Sequence, residues 1–90
     1  MVLCTLPDSC EKPARERLEK NNINYIIRPI GNNRFNIFFG ERFCLEVVER
    51  FGNKPLNQLT PEEDFILGAM LGYSVCEQCK RYCKRVQPKN

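Results

Sequence analysis

The residues with the greatest chemical capacity in this chain of 90 are six cysteines, Cys4, Cys10, Cys44, Cys76, Cys79 and Cys83. The last three are spaced Cys76-x2-Cys79-x3-Cys83, a metal-ligand type of spacing, and a fourth thiolate from Cys4, Cys10 or Cys44 would complete a zinc or iron–sulfur site. A redox pair of Cys76 and Cys79 is a second chemistry, helped by the neighbouring charges of Lys80 and Arg81. The simplest reading is packing. Val75, Cys76, Cys79, Tyr82, Cys83 and Val86 recur at i, i+3, i+4 and i+7, which makes the thiols small apolar members of a buried helical stripe. Two arguments favour packing. The residues between the cysteines are helix formers, not the turn residues that hold zinc-knuckle ligands. Activated thiols also sit at helix starts, and this pair falls a turn or more inside the predicted helix. The expectation is therefore reduced thiols with no cofactor, with Cys76, Cys79 and Cys83 as zinc or iron–sulfur ligands the alternative.

Charge supplies a second candidate site. The net charge is +3, distributed as +2 over residues 1–40, −3 over 41–72 and +4 over 73–90. Lys80, Arg81, Lys84 and Arg85 fall at i, i+1, i+4 and i+5, grouped on the helix face opposite the cysteine stripe. Such a patch draws phosphate or an acidic protein surface by long-range attraction. Nucleic acid is disfavoured, because only Tyr82 is interleaved with the charges and it leans toward the stripe. An acidic protein partner suits the patch at least as well, through electrostatic steering rather than burial.

Enzymatic chemistry finds little support. The chain has no histidine, which removes the commonest general base and any Ser/His or Cys/His pair. The acidic run Glu62, Glu63 and Asp64 follows Thr60-Pro61, and together these form a helix start. Thr60 caps, Pro61 takes the first position, Glu63 closes a capping box, and the carboxylates sit at the positive end of the dipole. The reading leans toward a non-enzyme.

The elements that must position these groups follow from periodicity. An apolar run from Val2 to Leu6 reads as a strand. A helix follows, capped by Asp8 or Ser9, passing Pro13, Ala14 and Leu18 to Asn21. Ile23 to Ile30 and Arg34 to Phe39 form a hairpin about Gly31-Asn32-Asn33, residues that tolerate positive φ. Residues 41–51 place Phe43 or Cys44, Val47, Val48 and Phe51 on one helical face, ended by Gly52-Asn53. A third helix runs from Thr60 with Phe65, Ile66, Ala69 and Met70 as its stripe, and Gly68 and Gly72 allow close approach of a neighbouring helix. A last helix reaches about Val86. The order β-α-β-β-α-α-α predicts an α+β fold, a three-stranded sheet with helices packed on it and a right-handed crossover.

Size limits what such a fold can do. Ninety residues at 10.6 kDa suit one domain, 1–90, with 87–90 frayed. A chain of this length buries roughly 60–65% of its unfolded surface, so a deep substrate pocket would compete with the core. A composition 42% hydrophobic and 28% charged is that of a globular protein. No apolar run approaches a membrane span, and the start lacks a signal-peptide pattern, which points to the cytoplasm.

Several stretches resemble a small bacterial family of unknown function. They are Asn36-Ile37-Phe38-Phe39-Gly40, Cys44, the run Leu59-Thr60-Pro61-Glu62-Glu63-Asp64-Phe65-Ile66-Leu67-Gly68, Leu71-Gly72-Tyr73, Gln78-Cys79 and Arg81-Tyr82. The resemblance spans about residues 2–85 and implies three strands plus helices, homodimers and an association with flavodoxin. The chain departs from it at Ser74 and Lys80, where the family has acidic residues, and of the three clustered cysteines only Cys79 belongs to the pattern. The functional expectation is a cytoplasmic protein-binding or regulatory module, a homodimer through its helical half. Its residues Lys80, Arg81, Lys84 and Arg85 dock an acidic partner such as flavodoxin. A thiol-based redox or metal-carrying protein is the alternative.

Overall fold

A computed structural model describes residues 1–86; the frayed end expected at 87–90 lies outside the described residues. The elements are β1 (Val2–Pro7), a 3-10 turn (Asp8–Cys10), α1 (Glu11–Lys20), β2 (Asn24–Gly31), β3 (Arg34–Gly40), α2 (Arg42–Arg50), a second 3-10 turn (Leu56–Gln58), α3 (Pro61–Met70) and α4 (Val75–Arg85). Their order is the expected β-α-β-β-α-α-α, and the α+β class with a three-stranded antiparallel sheet holds. The chain divides into two compact units, Met1–Asn53 and Lys54–Asn90.

In the first unit β3 lies between β1 and β2 and runs antiparallel to both, so β1 and β2 are parallel edges with the α1 crossover between them. The hairpin closes through Asn32 and Asn33, at φ 53° and 58°. Two successive positive φ values are what the right-handed strand twist requires of a two-residue loop, and Asn tolerates them. Pro29 lacks an N–H and sits on the edge strand β2, beside a register shift between Pro29 and Gly31.

Alternation along β3 divides the core. Phe35 and Ile37 are almost fully buried and pack with Leu18 of α1, with Cys4, Leu6, Cys10, Ala14, Tyr25, Ile27 and Phe39 around them. Two of the six cysteines thus serve as packing. Asn36 and Phe38 are buried on the other face, and Thr5 Oγ1 donates to Asn36 Oδ1 at 2.7 Å, which gives the buried Asn36 side chain a hydrogen-bond partner. Helix α2 lies against β2 and β3, with Leu45 and Val48 buried.

Three local expectations change, one of them in α3, where Leu67 and Gly68 are the buried residues and the expected stripe of Phe65, Ile66, Ala69 and Met70 is not, Ile66 and Ala69 being exposed. Neither Asp8 nor Ser9 caps α1 by its side chain; the 3-10 turn feeds the backbone directly into the helix. In α2 the buried face is Leu45, Val48 and the following Phe51, whereas Phe43 is 68% exposed. The Glu41 carboxylate caps the N–H groups of Phe43 and Cys44 and starts the helix at Arg42, and Leu45, Val48 and Phe51, spaced i, i+3 and i+6, form the face that is buried.

Candidate docking surface on the C-terminal helices

The second unit is built on local capping. Thr60 Oγ1 accepts from the Glu63 N–H at 3.1 Å, and a Glu63 carboxylate oxygen accepts from the Thr60 N–H at 2.9 Å, so the expected capping box is present. Lys54 also bonds the Glu63 carboxylate. The Lys54 ammonium and then the Thr60 N–H hold that carboxyl below its ordinary range. Helix α3 ends in a Schellman arrangement: the Tyr73 N–H donates to Gly68 O at 3.0 Å and the Gly72 N–H to Ala69 O at 3.1 Å, with Gly72 at φ 81°. Ser74 Oγ then accepts from the Glu77 N–H at 3.4 Å and starts α4 at Val75. The two helices form a hairpin.

The close approach expected of Gly68 occurs within this hairpin. Gly68 is buried, and a methyl group on it would come within 2.1 Å of the Gln78 side-chain oxygen. Gly72, by contrast, stops the helix. Tyr82 packs edge-on to Phe65 with ring centroids 6.0 Å apart, and its hydroxyl donates to Glu62 at 3.3 Å. The Glu62 charge raises the Tyr82 phenol above its ordinary value, because it opposes a second negative charge beside it.

Asp64 closes the hairpin at its polar edge. Arg81 donates to both Asp64 carboxylate oxygens, Nε at 2.6 Å and a terminal nitrogen at 3.2 Å. Arg85 reaches Asp64 at 3.8 Å and donates to the carbonyl of Leu59 at 3.0 Å. The Asp64 carboxylate raises the Arg81 guanidinium further above its ordinary value. The four expected docking residues therefore divide. Arg81 and Arg85 hold α4 to the start of α3. Lys80 is exposed with a 3.4 Å contact to Glu77 one turn away, and Lys84 is exposed beside it. Asp64 was legible only as a favourable charge in the first turn; its partner lies 17 residues away, beyond any local pattern.

The cysteine stripe is exposed, contrary to the packing expectation. No residue of α4 is buried, and Cys76, Cys79 and Cys83 are all exposed. The reason is geometric: α4 turns Gln78, Arg81, Tyr82 and Arg85 toward α3, which leaves Val75, Cys76, Cys79, Cys83 and Val86 outward. Val75 is 61% exposed. A groove of about 370 Å³ runs along this face, lined by Glu62, Phe65, Ile66, Cys79, Tyr82 and Cys83. Five of these six side chains present carbon or sulfur to it, so the groove is apolar; Lys80 and Lys84 follow Cys79 and Cys83 by one residue, about 100° round α4, so they stand beside the cysteine stripe and not opposite it.

The position of the thiols also changes. Helix α3 ends at Met70 with Gly72 at positive φ, and α4 starts only at Val75, so Cys76 is the second residue of α4 and lies in its first turn. It is not a turn or more inside. For a metal, Cys76 and Cys83 stand two helical turns apart, about 10 Å along the axis. Among the described residues no three Cys, Asp or Glu side chains come together as a metal-ligand group. No helix among the described residues is long and apolar enough to cross a membrane.

A search of curated proteins returns no match to this chain. The profile of one family covers residues 1–85, taking in both compact units and the whole hairpin: the chain belongs to the family of proteins of unknown function DUF2023.

Proposed function

We propose that the chain is a non-catalytic protein-binding module that docks an acidic partner through the α3–α4 hairpin. One observation carries this reading: an apolar face on a helix with no buried residue, with the exposed cations Lys80 and Lys84 one residue on from the groove-lining Cys79 and Cys83. Such a surface has the anatomy of a docking site, in which apolar side chains supply contact area and the cationic rim steers encounter and orientation. Arg81 and Arg85 contribute by holding α4 in place, not by free charge. The partner class implied by the family resemblance is flavodoxin, an acidic redox protein.

The same apolar stripe supports a homodimer, with Val75, Val86 and Ile66, at 61%, 40% and 40% exposure, as the area to be covered. A second copy and an acidic partner would compete for this stripe. Calorimetric titration of the chain with flavodoxin at low and moderate salt tests the docking reading. Saturable binding that weakens as salt rises supports it; no binding up to high micromolar concentration overturns it. Light scattering at the same concentrations reads the dimer, and a monomer mass removes that part alone.

A further inference from the structure

We propose that Cys76 and Cys79 form a reversible dithiol–disulfide site that closes by exchange with a low-molecular-weight disulfide such as oxidised glutathione. This site needs neither the docking partner nor the dimer.

The first support is access: all three thiols of α4 are exposed, so a small disulfide reaches them without unfolding. The second is spacing. Along an α-helix, Cα atoms three residues apart lie about 5 Å from each other, four apart about 6 Å, and seven apart about 10 Å. A disulfide spans Cα separations of about 4.4–6.8 Å. Cys79 is therefore within range of Cys76 and of Cys83, whereas Cys76 and Cys83 cannot join.

Backbone freedom decides between the two pairings. Side chains one turn apart on a helix have Cβ atoms about 5–6 Å apart, and a disulfide needs about 3.8 Å, so one end of the pair must shift. Cys76 occupies the first turn, where backbone N–H groups lack intrahelical acceptors. That turn is tied by the Ser74 cap and the Gln78 N–H to Ser74 O bond. Cys83 sits between Arg81 and Arg85, both fastened to α3 through Asp64 and the Leu59 carbonyl. The yielding end is the one that carries Cys76.

The exchange balances as two displacements. The Cys76 sulfur, as thiolate, attacks one sulfur of the small disulfide; one small thiolate leaves and takes the proton, and Cys76 holds a mixed disulfide. The Cys79 thiolate then attacks the Cys76 sulfur, and the second small thiolate leaves with the second proton. The protein loses two S–H bonds and gains one S–S bond; the small disulfide is reduced to two thiols. Cys76, on the yielding first turn, takes the mixed disulfide, and Cys79, one turn on, resolves it.

The test uses the reduced full chain equilibrated in glutathione redox buffers, quenched by alkylation and cut with trypsin. Cys76 and Cys79 share peptide 51–80, and Cys83 falls in peptide 82–84. The expected result is loss of two hydrogens within peptide 51–80, exceeding any link between the two peptides by about ten-fold, and reversed by reduced glutathione. Cys83→Ser should leave the midpoint unchanged, and Cys79→Ser should stop the reaction at a Cys76 mixed disulfide. The exposed Ser substitutions are checked for retained fold by circular dichroism. Links between the peptides in equal or greater yield, mixed disulfides that never resolve in the unsubstituted chain, or disulfides joining separate chains at low micromolar concentration would each overturn the proposal.

Discussion

Replacing Asp64 by Asn should loosen the α3–α4 hairpin while leaving the sheet unit intact. The Asp64 side chain is 17% exposed and that of Arg81 is 60% exposed. The pair thus stands between an exposed ion pair, worth about 0.2–1 kcal/mol, and a charged hydrogen bond, worth about 1.5–3 kcal/mol. Two donors on one guanidinium favour the upper part of that gap, and the wet guanidinium lowers it, which places the coupling at about 1 kcal/mol. The clean reading is a double-mutant cycle of Asp64→Asn and Arg81→Gln, measured by urea unfolding with amide exchange of α4 followed in parallel. At a urea slope of about 1–3 kcal/mol per molar, Asp64→Asn should lower the midpoint by a few tenths of a molar to about 1 M. The coupling should shrink in 1 M salt, where charges are screened within about 3 Å. Lys84→Gln in place of Arg81→Gln should give no coupling with Asp64→Asn. A coupling below about 0.3 kcal/mol, within ordinary additivity, or one indifferent to salt, would refute the assignment of Arg81 to the fold.

Four further outcomes follow from the same structure. Gly72→Ala forces a Cβ into φ 81° and should destabilise the hairpin by about 1–2 kcal/mol, read by urea unfolding. Thr60→Ala removes the capping-box acceptor and should cost about 1 kcal/mol, with α3 amides exchanging faster. The Glu63 carboxyl is held below its ordinary value of 4.5 in the fold, so its stabilisation is present at neutral pH and lost as pH falls from 4.5 toward the folded value; Glu63→Gln should flatten that part of an acid stability profile. The Tyr82 phenol is raised above 10.0 in the fold, so its contribution is full below pH 10 and lost as pH rises through the folded value. Glu62→Gln should bring the ultraviolet phenolate transition of Tyr82 down toward 10.0, and an unmoved transition would contradict the assigned cause.

What the sequence disclosed were the features with local causes. The Thr60-Pro61-Glu63 cap, the Asn32-Asn33 turn and the alternating Phe35 and Ile37 are written within a few residues, and the three strands and four helices follow from them. Features that depend on which face meets a neighbour were not legible. The cysteine stripe has helical spacing suited to burial, yet α4 meets α3 through Gln78, Tyr82 and two arginines, because Asp64 recruits Arg81 and Arg85 across the hairpin. The basic patch was legible as four charges, and its division into two fastened arginines and two exposed lysines was not. Phe43 shows the same effect on a smaller scale: its type suits a core, but α2 buries the face of Leu45, Val48 and Phe51, which leaves Phe43 outward.

The most direct test of the docking account is to map which lysines a bound partner protects. Lysine acetylation rates, measured by peptide mass spectrometry with and without saturating flavodoxin, compare Lys80 and Lys84 with Lys12 and Lys20 on α1. The expected result is slowing of Lys80 and Lys84 by more than about five-fold while Lys12 and Lys20 keep their rates, since rim cations face the docked partner. Protection of the α1 lysines with Lys80 and Lys84 unchanged would contradict it.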